Sequence, residues 1–273
     1  MNYTIGITYN HLKKNSKKYC DEIINWLSNK NIKTKLIYKT LKTNPKIDFI
    51  ICLGGDGTML RTCRMVAKYS IPILGINLGT LGFLTYTDLN NIYNTLEEIF
   101  KKGISFESRT MLDIEIPTKT KTVKTVALND CIIRSIHNGR LTSIDAFINK
   151  EFLSSYKGDG VLISTPTGST AYSLALSGPI VYPTLSVFII NPISPHTLTH
   201  RPMIIDAKNI LEFSSTDNNR KSDLVVSVDG QENYVLSKNK KLKIKLYSKQ
   251  VKFIKTSKYS YFKTLKTKLK WGV

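Results

Sequence analysis

Residues 47–66, IDFIICLGGDGTMLRTCRMV, constrain the fold more than any other stretch of the chain. Residues 47–53 form an apolar, β-branched run broken only by Asp48 and Cys52. That length and composition suit a strand buried on both faces, as a parallel sheet requires. The run stops at Gly54-Gly55-Asp56-Gly57-Thr58. Paired glycines permit a tight turn that exposes backbone amides. Met59, Leu60, Met65 and Val66 then predict a helix with Thr58 near its start. Strand, glycine turn and helix together offer amides and a helix dipole to an anion. Asp56 is out of place in a pure phosphate cradle, because a carboxylate repels phosphate. Its position fits a base for an attacking hydroxyl, a ligand for a phosphate-bridging metal ion, or a cap on the helix. The turn lacks the Lys-Ser/Thr ending of a P-loop and the spaced glycines of the dinucleotide fingerprint.

The same pattern continues around this unit. Residues 3–9 and 35–38 read as strands and residues 16–27 as an amphipathic helix. Residues 71–76 read as another buried strand, entering a second glycine loop, NLGTLGFL, at 77–84. Residues 92–100 read as a helix. Strands alternating with helices predict an α/β domain with a parallel sheet, whose ligands lie beyond the carboxyl ends of the strands. From residue 108 onward period-2 runs dominate: MLDIEI, TVKTVALND, LTSIDAFIN, VLIST, SVFII, LVVSVDG and KLKIKLY. This half is expected to be a β-rich sandwich or layered sheets. Residues 252–273 are basic with apolar points at Phe253, Tyr261, Phe262, Leu265, Leu269 and Trp271, which predicts a helix docked on the first domain. The domains are therefore drawn as 1–107 plus 250–273, and 108–249.

With 273 residues, 41% of them hydrophobic, the chain can build one large or two modest cores. No run approaches the roughly 20 apolar residues of a membrane span, and the N-terminus does not read as a signal peptide. Cys20, Cys52, Cys63 and Cys131 lack metal spacing, and are expected to be reduced thiols in a cytoplasmic protein. The formal charge of +20 suggests nucleic acid or a membrane surface as partner. The lysines are spread along the chain without blocks, which favours a general compositional bias, and neither a specific nucleic acid nor a membrane partner is expected.

A second constellation spans residues 156–181, YKGDGVLISTPTGSTAYSLALSGPIV. Gly158, Gly160, Gly168 and Gly178 stand among Ser164, Thr165, Thr167, Ser169 and Thr170. Small residues let a flat ligand approach the backbone, and hydroxyls can bond ribose or phosphate oxygens. Residues 170–176 read as a helix opening on those hydroxyls, and Asp159 is a second candidate carboxylate. Tyr172 either stacks on a ring or joins the core. Asn129-Asp130 closes an apolar run, as a cleft-facing pair or a plain turn. Asp229-Gly230-Gln231 reads as a strand end with a turn. His137, His196 and His200 show no metal-ligand spacing and read as surface or structural residues.

Taken together these stretches resemble the NAD kinases. The GGDGT turn at 54–58 is similar to that family's motif, residues 77–84 to its NxGxLGF loop, and Asn129-Asp130 to its Asn-Glu pair. Residues 156–176 resemble its long glycine-rich motif, and the tail from Phe262 to Trp271 its closing pattern. The resemblance implies transfer of a phosphoryl group from ATP or polyphosphate to the 2′-hydroxyl of the adenosine ribose of NAD, giving NADP, with Mg²⁺ or another divalent cation. It implies Asp56 as general base, with Gly57 and Arg61 toward phosphate and Phe83 on the adenine pocket. It places Asn129 and Asp130 on ribose or nicotinamide, Asp159 on the bases, and Thr170, Ala171 and Tyr172 at the adenine site. Thr167, Ser173, Leu174, Ala175, Arg140, Lys157 and Gln231 complete the implied contacts. Asp130 replaces the usual Glu and Lys157 the usual Arg, which shortens one reach and removes a bidentate fork. A homodimer or homotetramer is implied as well. GGDGT is shared with diacylglycerol and sphingosine kinases, so a lipid kinase is the first rival reading, and a basic nucleic-acid-binding protein the second.

Overall fold

The computed structural model describes residues 3–38, 41, 46–79, 82–136, 141–197, 199–215, 224–257 and 259–272. The chain divides into two units, Met1–Ser108 with Val251–Val273, and Arg109–Gln250.

The first unit runs β1 (Thr4–Tyr9), α1 (Ser16–Ser28), β2 (Lys33–Leu36), β3 (Phe49–Gly54), α2 (Asp56–Val66), β4 (Ile73–Asn77), β5 (Thr87–Asp88), α3 (Ile92–Lys102) and β6 (Phe106–Arg109). β1 pairs parallel with β2 and β3, and β4 pairs parallel with β3 and β5. Every residue of β3 and β4 is buried, as their unbroken apolar runs demand. Ile23 and Leu27 of α1 and Leu96 and Ile99 of α3 pack with Phe49, Ile51, Leu53, Leu74 and Ile76 of the sheet. β2 begins two residues before the expected strand, because its limits follow backbone pairing with β1 from Lys33 to Leu36 rather than side-chain burial.

The second unit is antiparallel. Its elements are β7 (Leu112–Pro117), β8 (Thr122–Ala127), β9 (Asp130–Ser135), β10 (Thr142–Ile148), β11 (Glu151–Gly158), β12 (Gly160–Ser164), α4 (Tyr172–Ala175), β13 (Val187–Ile193), β14 (Met203–Asp206), β15 (Leu211–Ser215), β16 (Leu224–Val228), β17 (Glu232–Leu236) and β18 (Leu242–Leu246). They form two six-stranded sheets, ordered β11-β10-β15-β18-β7-β8 and β14-β13-β12-β9-β16-β17. One core serves both: Leu112, Ile114, Ile144 and Phe213 from the first sheet meet Ile133, Ile163, Phe188 and Val226 from the second. The layered β-rich half is thus as expected, with two local differences. Asp130 opens β9 with Asn129 just before it, so the pair leads into a strand as well as following β8, and Asp159 is the single residue between β11 and β12, which belong to different sheets.

The chain ends in β19 (Val251–Ile254) and α5 (Tyr261–Leu269). β19 inserts between β4 and β6 in the parallel sheet, so the tail returns to the first unit as a strand before it becomes a helix. α5 buries Thr264 and Leu265, while Phe262 and Trp271 stay exposed, a narrower apolar side than the spacing suggested. Among the described residues no helix is long and apolar enough to cross a membrane.

Val251, Phe253, Ile254 and Leu265 are each at most 2% exposed. Burying such side chains contributes about 1.5–3 kcal/mol apiece, together comparable to a typical net stability of about 5–15 kcal/mol. A chain ending at Gln250 is therefore expected to lose cooperative melting of the first unit. Trp26 reports on this unit, since it packs on Tyr93 and Phe100 there. A Trp26 fluorescence transition as sharp as wild type would show that the returning strand is dispensable.

Candidate active site

In the first unit, the end of β3 and the start of α2 hold Asp56. A Cβ on Gly54 would stand 2.3 Å from Thr58 Oγ1, so only glycine lets the strand meet the helix this closely. Gly55, extended at φ −110° and ψ −169°, is the residue that caps α2, and its carbonyl accepts from Thr58 and Met59 amides. Asp56 is therefore not the cap. Its carboxylate instead accepts from the 77–84 loop: Phe83 N–H to Oδ2 and Leu84 N–H to Oδ1, each at 3.1 Å. Gly82 presses on the same group, since a Cβ there would fall 2.0 Å from Asp56 Oδ1. Asn77 shapes the loop start by bonding Gly79 N–H and carbonyl through its amide. Thr80 and Leu81 of this loop lie outside the described residues. Gly57 is exposed, Arg61 exposed one turn further along α2, and Phe83 half-buried with its ring 6.4 Å from that of Tyr261. Lys13, which no sequence motif singles out, places Nζ 3.1 Å from where a Cβ of Gly79 would stand.

The second unit gathers Asn129, Asp130 and Thr167. Asn129 carbonyl accepts from Thr165 N–H at 2.9 Å and Ser164 Oγ–H at 3.1 Å. A Cβ on Gly168 would come 2.2 Å from that carbonyl, so residues 164–168 lie flat on the start of β9. Asn129 Oδ1 and Thr167 Oγ1 are buried without a hydrogen-bond partner among the described residues. Most of the hydroxyls read as ligand donors are spent inside the fold. Ser164 bonds Asn129 carbonyl, Thr165 bonds Leu128 carbonyl, and Ser169 bonds Pro166 carbonyl and Val181 N–H. That competition also explains why residues 170–176 fail to form one helix. A 3-10 turn at Thr167–Thr170 breaks at Ala171, and a single α turn, Tyr172–Ala175, follows. Asn191 anchors that turn through Ser173 Oγ at 2.8 Å. Ser173 is buried, Thr170, Ala171 and Leu174 are half-buried, and Ala175 is exposed. Tyr172 is 45% exposed and so is no core residue.

Lys157 and Asp159 are exposed at the Gly160 end of β12, whereas Asp130 pairs with Ser164 at the other end, ~13 Å along the strand. These two are not brought together with Asn129 and Asp130. Gln231 is exposed in the turn joining β16 to β17, and Arg140 and His137 lie outside the described residues.

Asp229, read above as part of a plain turn, is the residue that organises this corner. Its carboxylate accepts from Leu128 N–H at 3.0 Å, Asn129 N–H at 2.8 Å and Asp130 N–H at 3.2 Å. Its own N–H donates to Asp130 carbonyl at 3.0 Å. A positive φ of 50° at Asp229, tolerable for Asp, was the one local cost, and the alternation of LVVSV carried no sign of it. Asp130 is 5% exposed, and burial first, then the Asp229 charge, push its carboxyl up to about 7. The adjacent Cys131 thiol is raised well above its ordinary value by burial and by the same two carboxyls.

Comparison with known proteins places these features in context. The ATP-NAD kinase N-terminal domain family matches residues 11–104, and the ATP-NAD kinase C-terminal domain family matches residues 109–256. The NAD kinase of Thermoanaerobacter sp. (strain X514) is 36% identical over 279 residues, spanning 97% of this chain and 98% of that protein. That of Syntrophobacter fumaroxidans is 33% identical over 280 residues, spanning 98% of each. Among solved structures, yeast NADH kinase complexed with NADH has a TM-score of 0.87 at 24% identity, covering 99% of this chain and 88% of that one. An NAD kinase from Archaeoglobus fulgidus in complex with ATP has a TM-score of 0.81 at 23% identity, covering 98% of each.

The buried acid has a stability consequence. Asp130 keeps its proton to about pH 7 when folded, against an ordinary value of 3.8. Between those values the folded chain binds more protons than the unfolded one, so stability falls as pH rises and levels off above neutrality. Asp130→Asn is expected to remove that loss. Calorimetry should find it more stable than wild type by on the order of 1–3 kcal/mol at pH 8, with the gap closing toward pH 4. A gap independent of pH would mean that Asp130 is not held neutral.

Proposed function

The chain belongs to the ATP-NAD kinase family, enzymes that phosphorylate NAD to NADP, and we propose that Asp56 is the general base of that reaction here. The acceptor is the 2′-hydroxyl of the adenosine ribose. Its oxygen forms the new bond to the terminal phosphorus of the donor as the bridging P–O bond breaks and ADP leaves. The hydroxyl proton passes to Asp56. The observation that supports this reading is the grip on the Asp56 carboxylate by Phe83 and Leu84 amides, which fixes both oxygens without a flexible partner. A carboxylate offers about four lone-pair sites, so two amides leave room for a hydroxyl. Little covalent chemistry is needed beyond this, and positioning carries most of the rate.

ATP is the proposed donor, with polyphosphate as the alternative. Gly57 and Arg61 at the start of α2 face its phosphates, helped by the helix dipole. Among the described residues no three His, Cys, Asp or Glu side chains gather as a metal cage. Mg²⁺ or another divalent cation is accordingly assigned to the donor's phosphates, entering with them as substrate and neutralising their charge. Asn129 Oδ1 and Thr167 Oγ1, buried and unpartnered among the described residues, support a polar ligand at the β9 corner, and we assign it to the dinucleotide. Asp130, Thr170, Ala171, Tyr172, Ser173, Leu174, Ala175 and Gln231 are assigned to the same ligand, with Lys157, Asp159 and Arg140 as outer contacts and Phe83 at the adenine. The enzyme is proposed to be cytoplasmic, consistent with four free, buried cysteines, and to act as a homodimer or homotetramer.

Purified protein supplied with NAD, Mg²⁺ and ATP or polyphosphate is expected to form NADP, read with an NADP-specific dehydrogenase. Asp56→Asn should lower kcat by ~100-fold or more, the usual scale for a general base. Activity within threefold of wild type would leave Asp56 a structural role only. Gly82→Ala tests the grip itself: the added methyl displaces the carboxylate and is expected to cost at least ~10-fold in kcat.

A further inference from the structure

We propose that Asp229 is a positioning residue for dinucleotide binding, holding residues 128–130 so that the Asn129 and Asp130 side chains face the ligand. This rests on the assignment of those two side chains to NAD. Three backbone amides in a row converge on one carboxylate that is 7% exposed and 99–101 residues away in sequence. No local pattern in residues 128–130 would otherwise order three successive amides toward one point. Asp229 also ties this segment to the turn that carries Gln231, whose N–H bonds Val228 carbonyl at 2.9 Å.

Two buried carboxyls share the corner, and both cannot ionise cheaply. Asp229 accepts three amides, which favours its charged form; Asp130 has no hydrogen bond to its carboxyl oxygens among the described residues. The proton therefore resides on Asp130. The groups bearing on Asp130 are the Asp229 charge after β16 and its partner Ser164 on β12; the raised Cys131 thiol, next along β9, turns to the opposite face into the core. Protonated, Asp130 donates a hydrogen bond to a ribose or phosphate oxygen and adds no repulsion toward a pyrophosphate. Deprotonated, it does the reverse. Binding of NAD is thus set to weaken as pH rises through neutrality.

The test is KM for NAD, KM for ATP and kcat from pH 5.5 to 8.5 in wild type, Asp229→Asn and Asp130→Asn. In the wild type KM for NAD should climb above pH 7, approaching tenfold per pH unit, with KM for ATP flat. In Asp229→Asn the climb should begin at lower pH, and KM for NAD at pH 7 should rise about 10–100-fold, as loss of hydrogen bonds to a charged group predicts. In Asp130→Asn the climb should vanish while Asp229 remains. An unchanged pH profile in Asp229→Asn with an intact melting transition, or a profile that survives in Asp130→Asn, would overturn the proposal. A ¹³C-carboxyl titration of Asp130 in the unliganded chain decides the pairing even if no NADP forms or if Asp229→Asn folds poorly. A transition near 7 in the wild type supports it, and one near 4 refutes it.

Discussion

A buried carboxylate bound to three consecutive amides underlies the corner of the second unit around residues 128–130. Removing a carboxylate from water costs several kcal/mol unless its lone pairs are filled. Asp229 is filled by Leu128, Asn129 and Asp130, at about 1.5–3 kcal/mol per charge-assisted bond. The rest of the corner follows from that anchor. With residue 129 fixed, its carbonyl accepts from Ser164 and Thr165, and this lays the 164–170 turn against β9. Gly168 then fits only because nothing occupies the Cβ position 2.2 Å from Asn129 carbonyl. Remove the anchor and each later contact loses its reference point.

The first unit uses the same device independently. Asp56 leaves α2 and is met by two loop amides from 27 and 28 residues further on. The loop is itself pinned to β4, where Tyr86 N–H bonds Gly75 carbonyl and a Cβ on Gly75 would strike Leu84 carbonyl at 2.7 Å. Backbone amides hold a carboxylate with less conformational freedom than a lysine or arginine head would, because the chain around them is already ordered. Such a group keeps its orientation when a ligand arrives, which is what a base or a positioning acid needs.

Legibility in the sequence followed locality. The strand–turn–helix at β3 and α2 could be read because an apolar run, a glycine pair and a helical repeat are adjacent. β7 and β10 could be read because Leu112, Ile114 and Ile116, and then Ile144 and Ala146, alternate inward. β14 could not, since Met203 and Ile204 are both exposed on an edge strand and show no alternation. β11, β15 and β17 escaped as well; in β17, polar Glu232 and Asn233 open a strand with one buried side chain, Leu236. The density of small and hydroxyl residues at 156–181 read Ser164, Thr165 and Ser169 as able to bond a ligand, whereas backbone carbonyls already use them. Asp229 was missed for the opposite reason. Its partners lie about 100 positions away, and a strand end followed by Asp-Gly reads as an ordinary turn.

The charge of +20 belongs to the same physical picture. Lysine pairs such as Lys18–Glu22, Lys102–Glu98 and Lys124–Glu115 sit on the surface with lysine side chains at least 70% exposed. Pairs of this kind are each worth about 0–1 kcal/mol, so the fold hardly depends on them. What the lysines do supply is a positive field, screened over ~10 Å at 0.1 M salt, that raises the local concentration of polyanionic nucleotides. A field of that sign would be undone at short range by two ionised carboxylates side by side. Spreading the Asp229 charge over three amides, with the Asp130 carboxyl pushed up to about 7, lessens the conflict toward acid pH. On the proposed assignment of residues 129 and 130 to the dinucleotide, attraction at a distance and hydrogen bonding at contact then act in the same direction.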